Sequence, residues 1–149
     1  EAAGGLGTTD YHADLGAAFR SVSGTLNHLL VTDRIWLARL EGEPAPALSL
    51  DQTLHDAHEP LREARAETDA ALIALVDGLD QGALQGTNGY RRVSAPELIR
   101  QPRAEALAHL FNHQTHHRGQ THALLQRLTG AAPALDLLFF QRETNLAKG

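Results

Sequence analysis

Apolar positions recur at helical spacing in three stretches of this chain, each closed by a helix-stopping residue. From Ser23 to Leu40, the leucines at 26, 29, 30, 37 and 40 form one stripe, and His28, Val31, Ile35 and Trp36 fall largely outside it. A helix apolar on nearly every side is buried on two sides, in a bundle core or against a second subunit. Ser23 or Thr25 suits its start, and Gly42, Pro44 and Pro46 stop it. A Pro-containing connector over Glu43–Leu48 follows, and Ser49-Leu-Asp-Gln52 has the spacing of a capping box. A second helix is expected from there to about Leu79, with Leu54, Leu61, Thr68 and Leu75 at heptad spacing. Pro60 inside it predicts a kink or restart, because proline removes a backbone bond and clashes one turn back. Pro102 suits the first position of a third helix, which runs to Thr129 and ends at Gly130.

The intervening stretches are less regular. Residues 1–20 are Gly-rich at the start and read mostly as loop with a short helical turn. Gly82, Gly86, Asn88-Gly89 and Pro96 break the pattern between Gly78 and Gln101, with Tyr90 and Val93 among them. Asn-Gly is a hairpin-turn signal, but the flanking alternation is poor, so loop with at most a short hairpin is expected. Leu135, Leu138 and Phe139 suggest one more short helix before a frayed tail.

Composition narrows the class. At 149 residues the chain is expected to form one domain, 1–149, large enough to bury roughly two thirds of its unfolded surface. With no cysteine, disulfides, Cys-ligated zinc and a cysteine nucleophile are excluded. The formal charge is −5 and the basic residues are scattered, which argues against a nucleic-acid partner. No apolar run approaches the ~18 residues of a membrane span, and no signal peptide is visible. A soluble, cytoplasmic protein is expected. The chain has no Met and begins Glu-Ala-Ala-Gly-Gly, so a preceding segment is expected, and Glu1–Leu6 reads as the last turn of a helix.

Histidine changes the picture most. Five of the nine histidines fall within His109–His122, where an even spread would put about one. Neutral imidazole is the commonest ligand for Zn, Ni, Cu and Fe. Residues four apart on a helix are neighbours, so His109/His113 and His113/His117 are both possible pairs. At 100° per residue, His117 lies in or near the Leu107–Leu110–Leu125 stripe and His113 on its flank, whereas His109, His116 and His122 lie further round. His113 and His117 are therefore the inward pair, and His109 and His116 face solvent with at most a supporting role. A catalytic zinc-type site takes three protein ligands and an open position. His28, on the otherwise apolar first helix, is the best third candidate. Taken alone it reads more readily as a hydrogen-bonded core histidine. His55 and His58 sit beside Asp56, Glu59 and Pro60 and are weaker candidates, and His12 is weaker still.

The segment also excludes a reaction. Zinc proteases carry HExxH, with Glu as general base. Here Gln114 holds that position and cannot take a proton from water. Partners for the second ring nitrogens include Thr32, Asp33, Gln114 and Gln120, which the sequence does not rank. Gly119, costing roughly 1 kcal/mol against Ala in a helix, predicts a close helix–helix approach. Arg34 and Arg118 are candidates to orient an acidic substrate.

Thr25-Leu-Asn-His28-Leu-Leu, Asp33-Arg-Ile-Trp-Leu and above all Leu110-Phe-Asn-His-Gln-Thr-His-His-Arg-Gly-Gln120 resemble the DinB (DinB/YfiT-like) family. Pro133-Ala-Leu-Asp-Leu-Leu and Phe140-Gln-Arg-Glu143 are similar to its C-terminal segment. The resemblance runs from about Tyr11 onward. It implies an all-α four-helix bundle, a homodimer, and a divalent metal (Zn, Ni or Fe) held by His28, His113 and His117. The family's first helix should precede Glu1. Some relatives are thiol S-transferases or isomerases using a low-molecular-weight thiol, and a chain without cysteine suits a cosubstrate that brings its own sulfur. A metal-dependent transferase with unknown substrate is the leading expectation. A metal-dependent hydrolase, a non-catalytic metal-binding stress protein and a helical dimer with a surface histidine cluster are the alternatives.

Overall fold

The computed structural model describes residues 2–92 and 95–144. Three helices of 20 residues or more carry the architecture: α2 (Val22–Glu41), α3 (His58–Asp77) and α5 (Arg103–Thr129). Shorter helices α1 (Thr8–His12), α4 (Gln81–Leu84) and α6 (Leu137–Glu143), a 3-10 turn over Ala2–Gly5 and the strands β1 (Thr87–Arg92) and β2 (Ala95–Pro102) complete it. The fold is thus mainly helical and bundle-like, as expected, with one small hairpin added.

The all-round apolar helix is the central one: α2 packs on both α3 and α5. Its N-cap is Ser21, upstream of the expected Ser23 and Thr25. The Ser21 hydroxyl accepts the Gly24 N–H at 3.0 Å, and the Thr25 hydroxyl is already donating back to the Ser21 carbonyl. Gly42 ends α2 and Gly130 ends α5, both with positive φ, the conformation that glycine tolerates best.

Two corrections concern helix starts. Instead of beginning near Ser49, α3 starts at His58, so Pro60 falls in its first turn, where a missing N–H breaks no intrahelical bond. The capping-box residues do pair, Ser49 N–H to Gln52 Oε1 at 3.3 Å, but they close an isolated turn. Pro102 is the N-cap of α5 rather than its first helical residue.

The 78–101 stretch is more ordered than expected. β1 and β2 pair antiparallel from Thr87↔Pro102 to Arg92↔Ala95. Asn88-Gly89 lies inside β1, not at the turn, because Asn88 has another task. Buried Asn88 donates to the carbonyls of Arg39 and Leu40 at 2.9 and 3.1 Å and accepts from Arg103 Nε at 2.8 Å. It thereby satisfies the open end of α2 and ties the hairpin to α2 and α5. Val93, and the frayed tail expected beyond residue 144, lie outside the described residues.

Core side chains set the register of α2 against α5. Val22 clusters with Leu124 and Leu125 at one end, and Trp36 and Leu40 with Ala106, Leu107 and Leu110 at the other, so the helices run antiparallel. Leu30, Leu61 and Ala64 close the α2–α3 seam. Buried Asp33 of α2 reaches Arg65 of α3 at 2.5 Å.

Candidate metal centre

Between the two ends of the α2–α5 seam the packing switches from leucine to histidine. The antiparallel register brings His28 opposite His113 and His117, whose ligand atoms all lie within 4.8 Å of one another. The Nε2 atoms of His28 and His113 are 3.3 Å apart. Ring centroids are 4.4 Å apart for His113 and His117, and 4.5 Å for His28 and His117. His28 and His117 are buried and His113 half-buried.

Each ring is held by a different device. His28 Nδ1 donates to the Leu50 carbonyl at 2.7 Å, which leaves its Nε2 lone pair facing the cluster. The neighbouring Asn27 makes that contact possible. Its amide donates to the carbonyls of Ser23 and His55, and its oxygen accepts the N–H groups of Leu54 and His55 at 2.8 and 3.0 Å. The connector is thus pinned against α2 with the Leu50 carbonyl over His28. His117 Nδ1 donates to Gln120 Oε1 at 2.7 Å, and the Gln120 amide nitrogen donates to His116 Nε2 at 3.1 Å. His116, exposed on the outer face, orients the glutamine that orients His117. The Nδ1 of His113 is buried with no hydrogen-bond partner.

Of the four candidate partners, only Gln120 reaches a ring nitrogen of the cluster. Thr32 donates to the His28 backbone carbonyl at 2.9 Å. Asp33 engages Arg65 and adjoins Gln114. A backbone carbonyl such as that of Leu50 has no residue-type signature, which is why sequence reasoning missed it.

Electrostatics keep the rings neutral. Burial pushes His113 from its ordinary 6.5 down to about 4, and the rings of His117, His28, His109 and His116 add to the shift. Burial is also the largest cause lowering His28 and His117, opposed by the Leu50 and Gln120 hydrogen bonds respectively. Three neutral imidazoles, two with Nδ1 tied to an oxygen acceptor, are the donor set that a borderline divalent cation such as zinc takes. The residues present therefore fit such an ion.

A further site residue, Phe19, was not anticipated. Its ring stacks on His28 with centroids 3.6 Å apart and meets His117 edge-on at 5.5 Å, covering one side of the cluster. Gly24 permits this: a Cβ there would lie 2.0 Å from the Phe19 carbonyl oxygen. Arg20, at φ 67°, turns the chain back, and its carbonyl accepts from the Leu15 N–H at 2.8 Å. The close approach expected at Gly119 is absent, since nothing lies within 4 Å of a Cβ built there. Gly119 faces outward, and the crowded glycine is Gly24, where a loop rather than a helix comes near.

His109 is exposed as expected, its ring 5.0 Å from that of Trp36. His122 and Arg118 line a separate hollow with His58, and His12 lies near Asp56 at 3.9 Å. None of these joins the cluster. On the side away from Phe19, His28 and His113 open into a cleft of about 690 Å³ walled by Leu48–Leu50, Trp36, Tyr90, Gln101 and His109. The arginines on its walls are Arg39 and Arg92, not the expected Arg34 and Arg118.

The family model for the DinB family matches residues 3–147. The chain is also similar to Protein DinB of Bacillus subtilis (strain 168), at 25% identity over 151 residues, covering 92% of this chain and 83% of that protein. No solved structure matches.

Proposed function

The chain belongs to the DinB family, and on that premise we propose that it is a divalent-metal-dependent enzyme whose ion is held by His28, His113 and His117, with a thiol S-transferase-like reaction. The observation that carries this reading is the convergence of three neutral imidazoles beside an open cleft. Three ligands leave a position for an exogenous group, whereas a storage or purely structural site closes with a fourth. Among the described residues, no further His, Asp or Glu joins the group.

When bound, the ion supplies positive charge that favours the anionic form of a small-molecule thiol. The residues of the chain do the rest. Leu50 and Gln120 hold the His28 and His117 rings with Nε2 inward, and Phe19 shields one side from water. The cleft admits reactants from the other. No carboxylate lines the cleft among the described residues, so a hydrolytic reaction there would have to use a histidine such as His109 as its general base. Zn, Ni and Fe all suit an imidazole set. A single domain and a homodimer complete the proposal. The dimer is supported by the exposed Leu137, Leu138, Phe139 and Phe140 of α6, an apolar surface that a second copy can cover.

The test is elemental analysis of tag-free protein, together with turnover of a thiol and an electrophilic acceptor by wild type and His117→Ala. One ion per chain and turnover lost in the variant are expected. Equal rates for the two proteins would end the proposal.

A further inference from the structure

The cleft beside the histidines carries a second binding device at its far wall. Arg39 lies one helix face along from His28, through Thr32, Ile35 and Trp36, all of which line the cleft. Its guanidinium carbon sits 4.9 Å from the Trp36 ring centroid and 4.4 Å from that of Tyr90. Tyr90 is fixed by its hydroxyl, which donates to Gln101 at 2.9 Å, and by the strand that Asn88 anchors. The cation therefore lies against both members of an aromatic pair whose rings meet edge-on, with centroids 5.4 Å apart, a setting that favours a guanidinium.

What Arg39 lacks is an anion. Among the described residues no carboxylate lies within ion-pair distance of it, and its Nε is buried with no hydrogen-bond partner. A second cation, Arg92, lines the same cleft and acts on Arg39 as a like charge. Burial is the main influence disfavouring the charge on Arg39, and the like charge of Arg92 adds to it. Such an arrangement is relieved by an anion from outside, and a forked guanidinium pairs best with a carboxylate or phosphate.

We propose that Arg39, assisted by Arg92, is an oxyanion-binding site that recognises the far end of the molecule processed at the histidine cluster. The inference rests on the metal reading only for what happens at the near end. From His28 to Arg39 the helix rises roughly 16 Å, and the long arginine side chain leans back toward the N-terminus. The ligand is therefore an elongated molecule with its oxyanion on the order of 10 Å from the atom presented to the histidines. Its middle crosses Trp36 and Ile35, which favours an apolar or aromatic spacer.

The chain's single tryptophan, Trp36, reports on this site directly. The full-length chain, zinc-loaded and metal-free, is titrated with octanoate, octyl phosphate and octanol while Trp36 fluorescence is followed. Octanoate or octyl phosphate is expected to bind saturably, about 10-fold or more tighter than octanol, and Arg39→Gln to remove that advantage. The two acids show whether carboxylate or phosphate is preferred. Equal affinity for octanol and both acids, or unchanged acid affinity in Arg39→Gln, overturns the proposal. Should Arg39→Gln not fold by circular dichroism, Arg39→Lys decides, because it keeps the charge and loses the fork. A several-fold weakening is then expected, and unchanged affinity overturns the site. Because carboxylate and phosphate can themselves ligate zinc, the metal-free titration decides, and its result stands apart from the metal analysis.

Discussion

His28 and His113, 85 positions apart in the chain, bring their Nε2 atoms to 3.3 Å across the α2–α5 seam. Two neutral nitrogens at that distance share at most one proton, and the third ring at His117 faces the same point. Replacing His28 or His113 by Ala should therefore abolish stoichiometric zinc binding. The loss should exceed the roughly 10–100-fold that supporting partners are worth. Competition with a chromophoric chelator measures it, and circular dichroism checks that the helices persist.

The supporting partners are expected to matter less, in a graded way. Gln120→Ala frees the Nδ1 of His117 and should weaken zinc binding by about 10-fold or more with the fold intact. His116→Ala acts one step further out and should have a smaller effect. An affinity loss larger for His116→Ala than for Gln120→Ala would contradict the order of contacts.

Asn27→Ala should destabilise the protein by about 2 kcal/mol, because the half-buried N–H groups of Leu54 and His55 lose their acceptor. It should also weaken zinc binding, since the connector that carries the Leu50 carbonyl is released. Urea unfolding with and without zinc separates the two effects.

Stability of the metal-free protein should depend on pH below neutrality. His113 is held at about 4, below its ordinary 6.5. Below 6.5 the unfolded chain therefore binds a proton that the folded chain refuses. The contribution of the neutral ring is fully present above 6.5 and is lost as pH falls through about 4. His28 and His117, shifted in the same direction, add to the loss. Urea midpoints between pH 7 and 4 should fall more steeply for wild type than for His113→Gln.

Two glycines should respond in opposite directions. Gly119→Ala puts a methyl into open space on a helix and should stabilise by up to about 1 kcal/mol. Gly24→Ala drives a methyl into the Phe19 carbonyl and should displace the loop that covers His28. Thermal unfolding reads the first, and zinc affinity with thermal unfolding reads the second.

The helices were legible in the chain because helical periodicity is local: an apolar stripe and a terminal glycine are visible within one stretch. The same geometry separated inward His113 and His117 from outward His109 and His116, since rotation about a helix axis depends only on residue number. Where α3 starts, why Asn88-Gly89 lies in a strand and which glycine is crowded were not legible. The first two depend on partners far along the chain, the connector pinned by Asn27 and the open carbonyls of α2, and the third on how the nearby loop at Phe19 folds back over the helix start. His28 shows the division most clearly. Its sequence neighbourhood by itself favours a core histidine, and only the antiparallel register of α2 on α5 sets it against the other two rings. A chain's own periodicity determines which way a side chain points, but the packing of distant helices decides what it meets there.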